Sequence, residues 1–312
     1  MPKENEIVLP IRTEEQRLFK PTDKEVSVVT DVFLKFRMSA DSRNRNFQYF
    51  DGLNLIDYIN DSVRRFTTNV DEREDIEDWQ ARVHDPFTRN KVLAILGKVV
   101  SVLPIAQFTG RGDEDVRKGT ILTNLYEYAE ELDDYEELMI HVLLEAIVKG
   151  TSISYEGVDK SNKKHRDVKG VGDSLTVSEV TETTTKLFGS IVPLEEFYPS
   201  SVSIRNLNRM PHCFWRKVIP LSLFNQEWSI FKKSSLVEGK RSFRQDEDKP
   251  FYADFIGNDV GEGEVELIRY YDKMSDQYVV IANGIWLNPI RDKEGIEEIS
   301  PLPFNHKELP FW

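Results

Sequence analysis

The chain has 312 residues, of which 39% are apolar and 30% are charged, so it can form two or three domains with a real core. Its 54 acidic residues outnumber its 41 basic residues and give a net charge of −13, which argues against a sequence-reading DNA-binding protein because such proteins carry a basic surface. The single cysteine, Cys213, excludes an intramolecular disulfide and a cysteine-based zinc site.

The first 49 residues are predicted to form an extended N-terminal arm, because they are polar, contain three prolines and show no sustained period. Apolar residues at helical spacing then predict a helix within residues 50–70. The acidic run 71–78 is interpreted as a solvated helix face rather than a metal site. It contains both signs of charge at helical spacing, whereas a site for a hard cation would need a glycine turn among its carboxylates.

Three more helices are predicted before Gly150. The first begins at Asp85-Pro86-Phe87, is expected to be buried on most sides and ends at Pro104. An amphipathic helix follows over residues 120–132. A third, over residues 135–149, is preceded by Asp133-Asp134 and ended by Gly150. These helices are predicted to pack into one bundle.

After Gly150 the period changes to two, which predicts strands. We expect a strand over residues 151–155, a basic loop over 160–169, and two paired strands over 175–181 and 185–192. The basic residues of the loop are either a solubilising hairpin tip or contacts to phosphate or to an acidic partner surface. The candidates for such contacts are Lys163, Lys164, Arg166 and Lys169.

The remaining predicted elements are a strand over residues 213–219, a short helix over 220–228, a strand over 265–271, and a hairpin that turns at Asn283-Gly284. Four aromatic residues lie on the last two of these elements, and a sheet of two or three strands cannot bury them within itself. They are therefore candidate interface residues, although packing on an adjacent helix of the same chain is equally open. The four are Tyr270, Tyr271, Tyr278 and Trp286.

No catalytic, cofactor-binding or metal-ligating residue is predicted. Gly172-Asp173-Ser174-Leu175 matches the signature of GDSL serine esterases, but His306 follows Pro303 where that family needs Asp three positions earlier. The chain contains no Gly-x-x-x-x-Gly-Lys-Ser/Thr loop, and its five histidines are scattered without metal-ligand spacing. The longest apolar run, residues 99–106, is far shorter than the roughly 20 residues of a membrane span.

An ordered series of segments resembles the portal proteins of tailed bacteriophages. A helix passes through Gly150-Thr151 into a strand, and Phe197-Tyr198-Pro199 precedes the strand Phe214-Trp215-Arg216. A strand over 265–271 and a Pro-x-x-His-x-x-x-Pro phrase within 303–311 follow. The resemblance covers most of the chain from about residue 50.

The resemblance implies an α+β fold in which a helical bundle and antiparallel strands form a wing over residues 50–220. A short stem helix and loop would occupy 221–264, and a small α/β clip 265–300. Residues 301–312 would start the return toward a second stem helix. Because the last residues form an apolar cluster without a capping tail, the sequence is interpreted as truncated within a longer protein.

The same resemblance implies a structural protein without enzymatic activity or cofactor. Its subunits would form a dodecameric ring at one capsid vertex of the virion, assembled in the host cytoplasm away from any membrane. Double-stranded DNA would pass through the lumen without sequence readout, and the ring would dock the terminase motor, the capsid and the tail or adaptor proteins. The alternatives are a GDSL-type serine esterase built on Ser174 or another, non-portal virion structural protein.

Overall fold

The computed structural model describes residues 20–45, 52–67, 86–101, 107–132, 134–169, 176–204, 206–240, 251–291, 297–303 and 308–312. Contacts divide the chain into unit 1, which comprises Met1–Asn46 and Glu195–Leu309, and unit 2, which comprises Phe47–Leu194 and Pro310–Trp312. The described residues form six α-helices and three antiparallel sheets, so the α+β class is confirmed.

Unit 1 begins with helix α1 (Asp23–Arg43), in the region where the sequence predicted an extended arm. The Thr22 hydroxyl accepts a hydrogen bond from the Glu25 N–H at 3.2 Å and caps the helix. The prediction was wrong because polar composition and prolines outweighed a short apolar stripe, Val28, Val29, Val32 and Phe36, that has helical spacing. The rest of the predicted arm, residues 1–19 and 46–49, lies outside the described residues.

The main sheet of unit 1 has five antiparallel strands, which neighbour one another in the order in which they follow along the chain. The strand predictions for residues 213–219 and 265–271 are confirmed. The strands are β3 (Phe197–Pro199), β4 (His212–Pro220), β5 (Glu264–Asp272), β6 (Gln277–Ala282) and β7 (Ile285–Trp286). A two-stranded sheet of β8 (Ile290–Arg291) and β9 (Glu297–Glu298) completes the strands described in this unit.

The Asn283-Gly284 hairpin is formed as predicted. Asn283 and Gly284 have φ angles of 43° and 80°, the left-handed values that a two-residue type I′ turn requires. The Asn283 side chain adds a tie, because its Oδ1 accepts a hydrogen bond from the Glu266 N–H at 2.7 Å.

Both faces of the main sheet are covered. Ile268, Tyr270, Val279, Ile281 and Trp286 contribute to a core cluster with the apolar stripe of α1. On the other face, intervening residues pack with helix α6 (Leu221–Glu227) and the segment after it. Successive residues of a strand point to opposite faces, so β5, β6 and β7 alternate between these two clusters.

The division of the chain differs from the predicted wing, stem and clip. Strand β4, placed in the wing at 50–220, pairs with β5, placed in the clip at 265–300, and both belong to unit 1. Helix α6, predicted as a stem helix, has seven residues and packs on the sheet that joins them. The prediction assigned β4 and β5 to different domains because residues 221–263 separate them in the sequence. Their main chains nevertheless pair in one sheet.

Unit 2 contains the four helices expected before Gly150, namely α2 (Leu55–Thr67), α3 (Phe87–Val100), α4 (Asp113–Leu132) and α5 (Tyr135–Lys149). Helix α4 starts before the predicted residue 120. Gly150 has a φ of 80°, as a left-handed C-terminal cap requires.

The acidic run 71–78 and Pro104 lie outside the described residues. None of the helices in the described ranges has both the length and the apolar character needed to cross a membrane.

Two 17-residue strands, β1 (Ile153–Lys169) and β2 (Thr176–Val192), form an antiparallel ribbon. Pairing is continuous from Ile153 opposite Val192 to Lys169 opposite Thr176. The predicted loop at 160–169 and the predicted break between 181 and 185 were therefore wrong. Their polarity suggested a loop and a turn, but main-chain groups make the ladder, and side-chain polarity does not reveal it.

The last residues of the chain pair with the base of the ribbon, where the sequence predicted a return toward a second stem helix. The Ser154 N–H donates to Trp312 O at 2.9 Å, the Trp312 N–H donates to Ser154 O at 3.0 Å, and the Glu156 N–H donates to Pro310 O at 3.0 Å. Phe311 also contacts the Tyr155 ring, with centroids 5.5 Å apart. The edge of β1 that faces away from β2 thus pairs at its base with a short antiparallel segment.

Candidate interaction surfaces

An apolar stripe on α4 is exposed to solvent. It consists of Ile121, Leu122, Leu125 and Tyr128, which helical geometry places on one face. Leu125 and Tyr128 are 58% and 60% exposed. We call these four residues the α4 stripe. The sequence predicted an amphipathic helix here and also predicted that other helices would cover its apolar face.

A different side of α4 is covered by the segment that precedes it. The Phe108 N–H donates to the Thr123 Oγ1 at 3.1 Å, and the Phe108 ring lies edge-on to Tyr126, with centroids 5.8 Å apart. Burial, with the neighbouring Tyr135 and Glu130, raises the pKa of Tyr126 to about 12. Helix α4 therefore has one covered side and one open apolar side.

Helix α3 is also incompletely covered. The sequence predicted burial on most sides, but Leu96 is the one residue of this helix that the structure shows as buried. Ile95 and Val99, one turn apart, are 49% and 41% exposed, and Phe87 and Leu93 are exposed as well. The sequence prediction assumed that a helix with apolar residues on most of its faces must be buried within its own chain. Large exposed apolar surfaces usually mark sites of association.

The four aromatic residues predicted at an interface lie in the core of unit 1 instead. Tyr270, Tyr271 and Trp286 are fully buried, and Tyr278 is partly buried with its ring 4.9 Å from that of Tyr271. The prediction assumed a sheet of two or three strands. Five strands, with α1 over one face and α6 over the other, bury these aromatics within the chain.

Tyr270 and Asp272 form a polar pair at the edge of this core. The Tyr270 hydroxyl donates to Asp272 Oδ2 at 2.7 Å, and Lys35 Nζ donates to the Tyr270 oxygen at 3.1 Å. Burial raises the pKa of Tyr270. Burial also opposes ionisation of Asp272, but the bond from Tyr270 and the N–H groups of Met274 and Ser275 hold the pKa of this carboxyl below its usual value. The pair is a satisfied structural network.

Strand β1 carries all four predicted basic contact residues, which therefore lie in a ladder rather than in a loop. In the register of the ribbon, Lys163 is opposite Glu182 and Arg166 is opposite Glu179. Lys164 and Lys169 are opposite Thr181 and Thr176. The predicted basic residues therefore all lie on β1.

Sequence reasoning missed a charged network that holds the loop before β5. Arg216 Nε donates to Glu266 Oε1 at 2.5 Å and Nη2 donates to Asp259 Oδ1 at 2.7 Å, while Lys240 Nζ donates to the Gly257, Asn258 and Val260 carbonyls. Burial opposes the charge on Arg216, but Asp259 and Glu266 raise its pKa. Each member is isolated in sequence, and no short spacing could have revealed it.

A second missed cluster links α1 to the body of unit 1. Lys233 Nζ lies 3.2 Å from Glu25 Oε2 and 3.1 Å from a carboxylate oxygen of Glu297. The Glu25 side chain is buried, and its carboxylate forms the ion pair with Lys233 inside unit 1. Burial raises the pKa of Glu25, although Lys233 opposes that rise.

In the described ranges, no three or more His, Cys, Asp and Glu side chains are grouped to hold a metal. Cys213 is a fully buried thiol, and burial raises its pKa well above its ordinary value. Ser174 and His306, the residues of the esterase alternative, lie outside the described residues. No family model matches the chain, and no curated protein matches it.

Proposed function

We propose that this chain is a structural subunit that assembles with copies of itself into a ring-shaped conduit, of the kind that tailed-bacteriophage portals form at one capsid vertex. In this role it binds the terminase motor, the capsid and the tail proteins and has no catalytic activity of its own. DNA passes through the lumen during packaging and ejection. The exposed apolar surface of α3 and α4 carries the proposal, because a subunit that functions alone has no need of it.

The order of the elements supports the proposal in a second way. The segments that carry the portal resemblance lie on regular elements: Gly150-Thr151 leads from α5 into β1, Phe197–Pro199 is a strand, and Phe214-Trp215-Arg216 lies in β4. Residues 265–271 lie in β5. The fifth segment, within 303–311, lies partly outside the described residues, so four of the five segments support the proposal in this way.

Charge supports a conduit rather than a DNA clamp. Binding releases counterions from DNA only where Lys and Arg neutralise phosphates, and a net charge of −13 disfavours such contacts, so a duplex gains little from counterion release. A lumen lined by such a protein would let DNA slide. The force for movement would then come from a separate motor.

Imaging tests the proposal directly. The protein, purified at concentrations from nanomolar to micromolar, is examined by mass photometry and negative-stain electron microscopy. We expect closed rings with a central hole. Monomers at every concentration, or assemblies without a hole, would contradict the ring function.

A pair of matched variants tests the surface that carries the proposal. Leu125→Asp with Tyr128→Asp places two charges on the α4 stripe and is expected to abolish assembly while circular dichroism remains unchanged. Ile230→Asp with Met274→Asp places the same charges on two apolar residues of unit 1 that are 82% and 79% exposed, and is expected to assemble normally. Assembly by the first variant would exclude the α4 stripe as the contact.

A further inference from the structure

We propose that the distal part of the β1–β2 ribbon, residues 158–169 and 176–187, is an arm that binds a second copy of this chain. The proposal rests on the self-assembly proposed above and names a contact through which copies associate. Its basis is the two-stranded form of the ribbon, the free main-chain edge of β1, and the charge of the β1 segment.

The ribbon is long and has few strands. Each strand has 17 residues and spans roughly 55 Å, yet the sheet has two strands in the described part of the chain. An isolated two-stranded hairpin is at best marginally stable in water. The pairing of residues 310–312 reaches only the base of β1, at Ser154 and Glu156. A ribbon of this length needs a surface to lie on.

The outer edge of β1 is suited to bind another strand. Main-chain groups of an antiparallel strand alternate between its two edges. Ser154 and Glu156 direct their N–H groups to residues 310–312. Because pairing with β2 continues without a bulge to Lys169, the even-numbered residues 158–168 direct their N–H and C=O groups to the same edge. In the described part of the chain no strand pairs with them.

The charge of this strand indicates which molecule binds its outer edge. Residues 160–169 contain five Lys and Arg and a single Asp, and the whole arm, which also includes Asp159, Glu179, Glu182 and Lys186, has a net charge of +2 in a chain of net charge −13. A second copy is therefore an acidic partner for this strand, and opposite potentials favour its approach. DNA is also acidic but cannot supply the strand that a free main-chain edge binds. The same unit exposes the α4 stripe, which needs a polypeptide partner as well.

Photo-crosslinking between isotopically distinct copies tests the arm. The variant Asn162→p-benzoylphenylalanine is mixed as ¹⁴N and ¹⁵N protein, assembled, irradiated and digested for mass spectrometry. We expect mixed-isotope crosslinks from position 162. The same photoreactive residue at Ile230, 82% exposed in unit 1, is the control and is expected to give few.

The outcomes separate the two proposals. Rings that give only same-isotope crosslinks, or none, would overturn the arm and leave the ring function standing; in that case the lysines simply keep an edge strand from pairing. Mixed-isotope crosslinks in assemblies without a hole would support the arm and overturn the ring. A crosslink to added double-stranded DNA in place of protein would also overturn the arm.

A charge reversal adds an independent measurement. Lys160→Glu, Lys164→Glu and Lys169→Glu, each opposite a threonine of β2, are expected to eliminate the mixed-isotope crosslinks and to weaken assembly most at low salt. The matched control reverses three exposed cations of unit 1, Lys24→Glu, Arg209→Glu and Lys232→Glu, which changes the net charge equally. An equal effect in both variants would mean that the change in net charge, and not the ribbon, causes the loss of crosslinks and assembly. That result would overturn the proposal of a binding arm.

Discussion

At the scale of single residues, side chains that look available in the sequence are fixed by long-range contacts. Trp286 illustrates this, since it follows a turn and ends a two-residue strand, yet it is fully buried. Its Nε1 donates to Asn288 Oδ1 at 3.1 Å, and its ring packs with the stripe of α1 from the other end of the chain. The indole therefore stabilises unit 1 rather than an interface.

We therefore expect Trp286→Ala to lower the free energy of unfolding by about 3–5 kcal/mol, because it removes a large buried ring and leaves a cavity. Urea denaturation followed by circular dichroism measures the change. Ile230→Ala, at a residue that is 82% exposed, is the control and should change stability by less than about 0.5 kcal/mol. A Trp286→Ala variant as stable as the parent would mean that the ring does not pack in this core.

Glu25 provides a pH-dependent test of the contact between α1 and the rest of unit 1. Because burial raises its pKa above 4.5, the folded state binds the proton more tightly than the unfolded state. The stability that Glu25 contributes is present below its unfolded pKa and is lost as pH rises through its folded pKa. We expect Glu25→Gln, which keeps the neutral form, to gain stability relative to the parent as pH rises.

The measurement is urea denaturation of the parent and of Glu25→Gln at intervals from roughly pH 4 to 7, the region where a carboxyl with a raised pKa titrates. Glu227→Gln, at an exposed position of α6, is the matched control. A difference between the parent and Glu25→Gln that stays constant with pH, or that changes equally in the control, would refute the assignment.

At the scale of elements, the sequence correctly predicted the features that depend only on residues close together in the chain. Gly150 ends α5, Asn283-Gly284 turns a hairpin, and apolar spacing locates α2 to α5. Helix α1 was missed because its apolar stripe is short and lies within a polar segment. The ribbon was missed because its ladder is made by the main chain, and side-chain polarity carries little information about it.

Two glycine substitutions of opposite expected sign test these backbone assignments. Gly284→Ala forces a side chain into left-handed φ and should lower the free energy of unfolding by about 1–2 kcal/mol. Gly97→Ala lies inside α3, where an added Cβ meets no atom within 4 Å, and should raise it by about 1 kcal/mol. Equal effects from both substitutions would contradict the turn or the helix.

At the scale of the whole molecule, the sequence could not reveal which distant segments share a sheet. Strand β4 pairs with β5 across the long connection of residues 221–263, and α1 covers strands that lie more than two hundred residues later. The aromatic interface prediction failed for this reason, since it assigned Tyr270 and Trp286 to an isolated small sheet. The apolar face of α4 was predicted correctly, because helical period alone defines it.

The net charge of the protein predicts how weakly the assembly binds DNA. With a charge of −13, the assembly is expected not to retain a 30-base-pair duplex at about 0.15 M salt, because few phosphates can exchange counterions for protein cations. Fluorescence anisotropy with labelled DNA, repeated at about 0.05 M salt, measures this. The variant with Lys160, Lys164 and Lys169 changed to Glu is the control that isolates the ribbon. Tight binding to the parent that falls steeply with salt would contradict a conduit through which DNA slides. If the reversal abolished that binding, the ribbon would be a DNA contact instead of an arm.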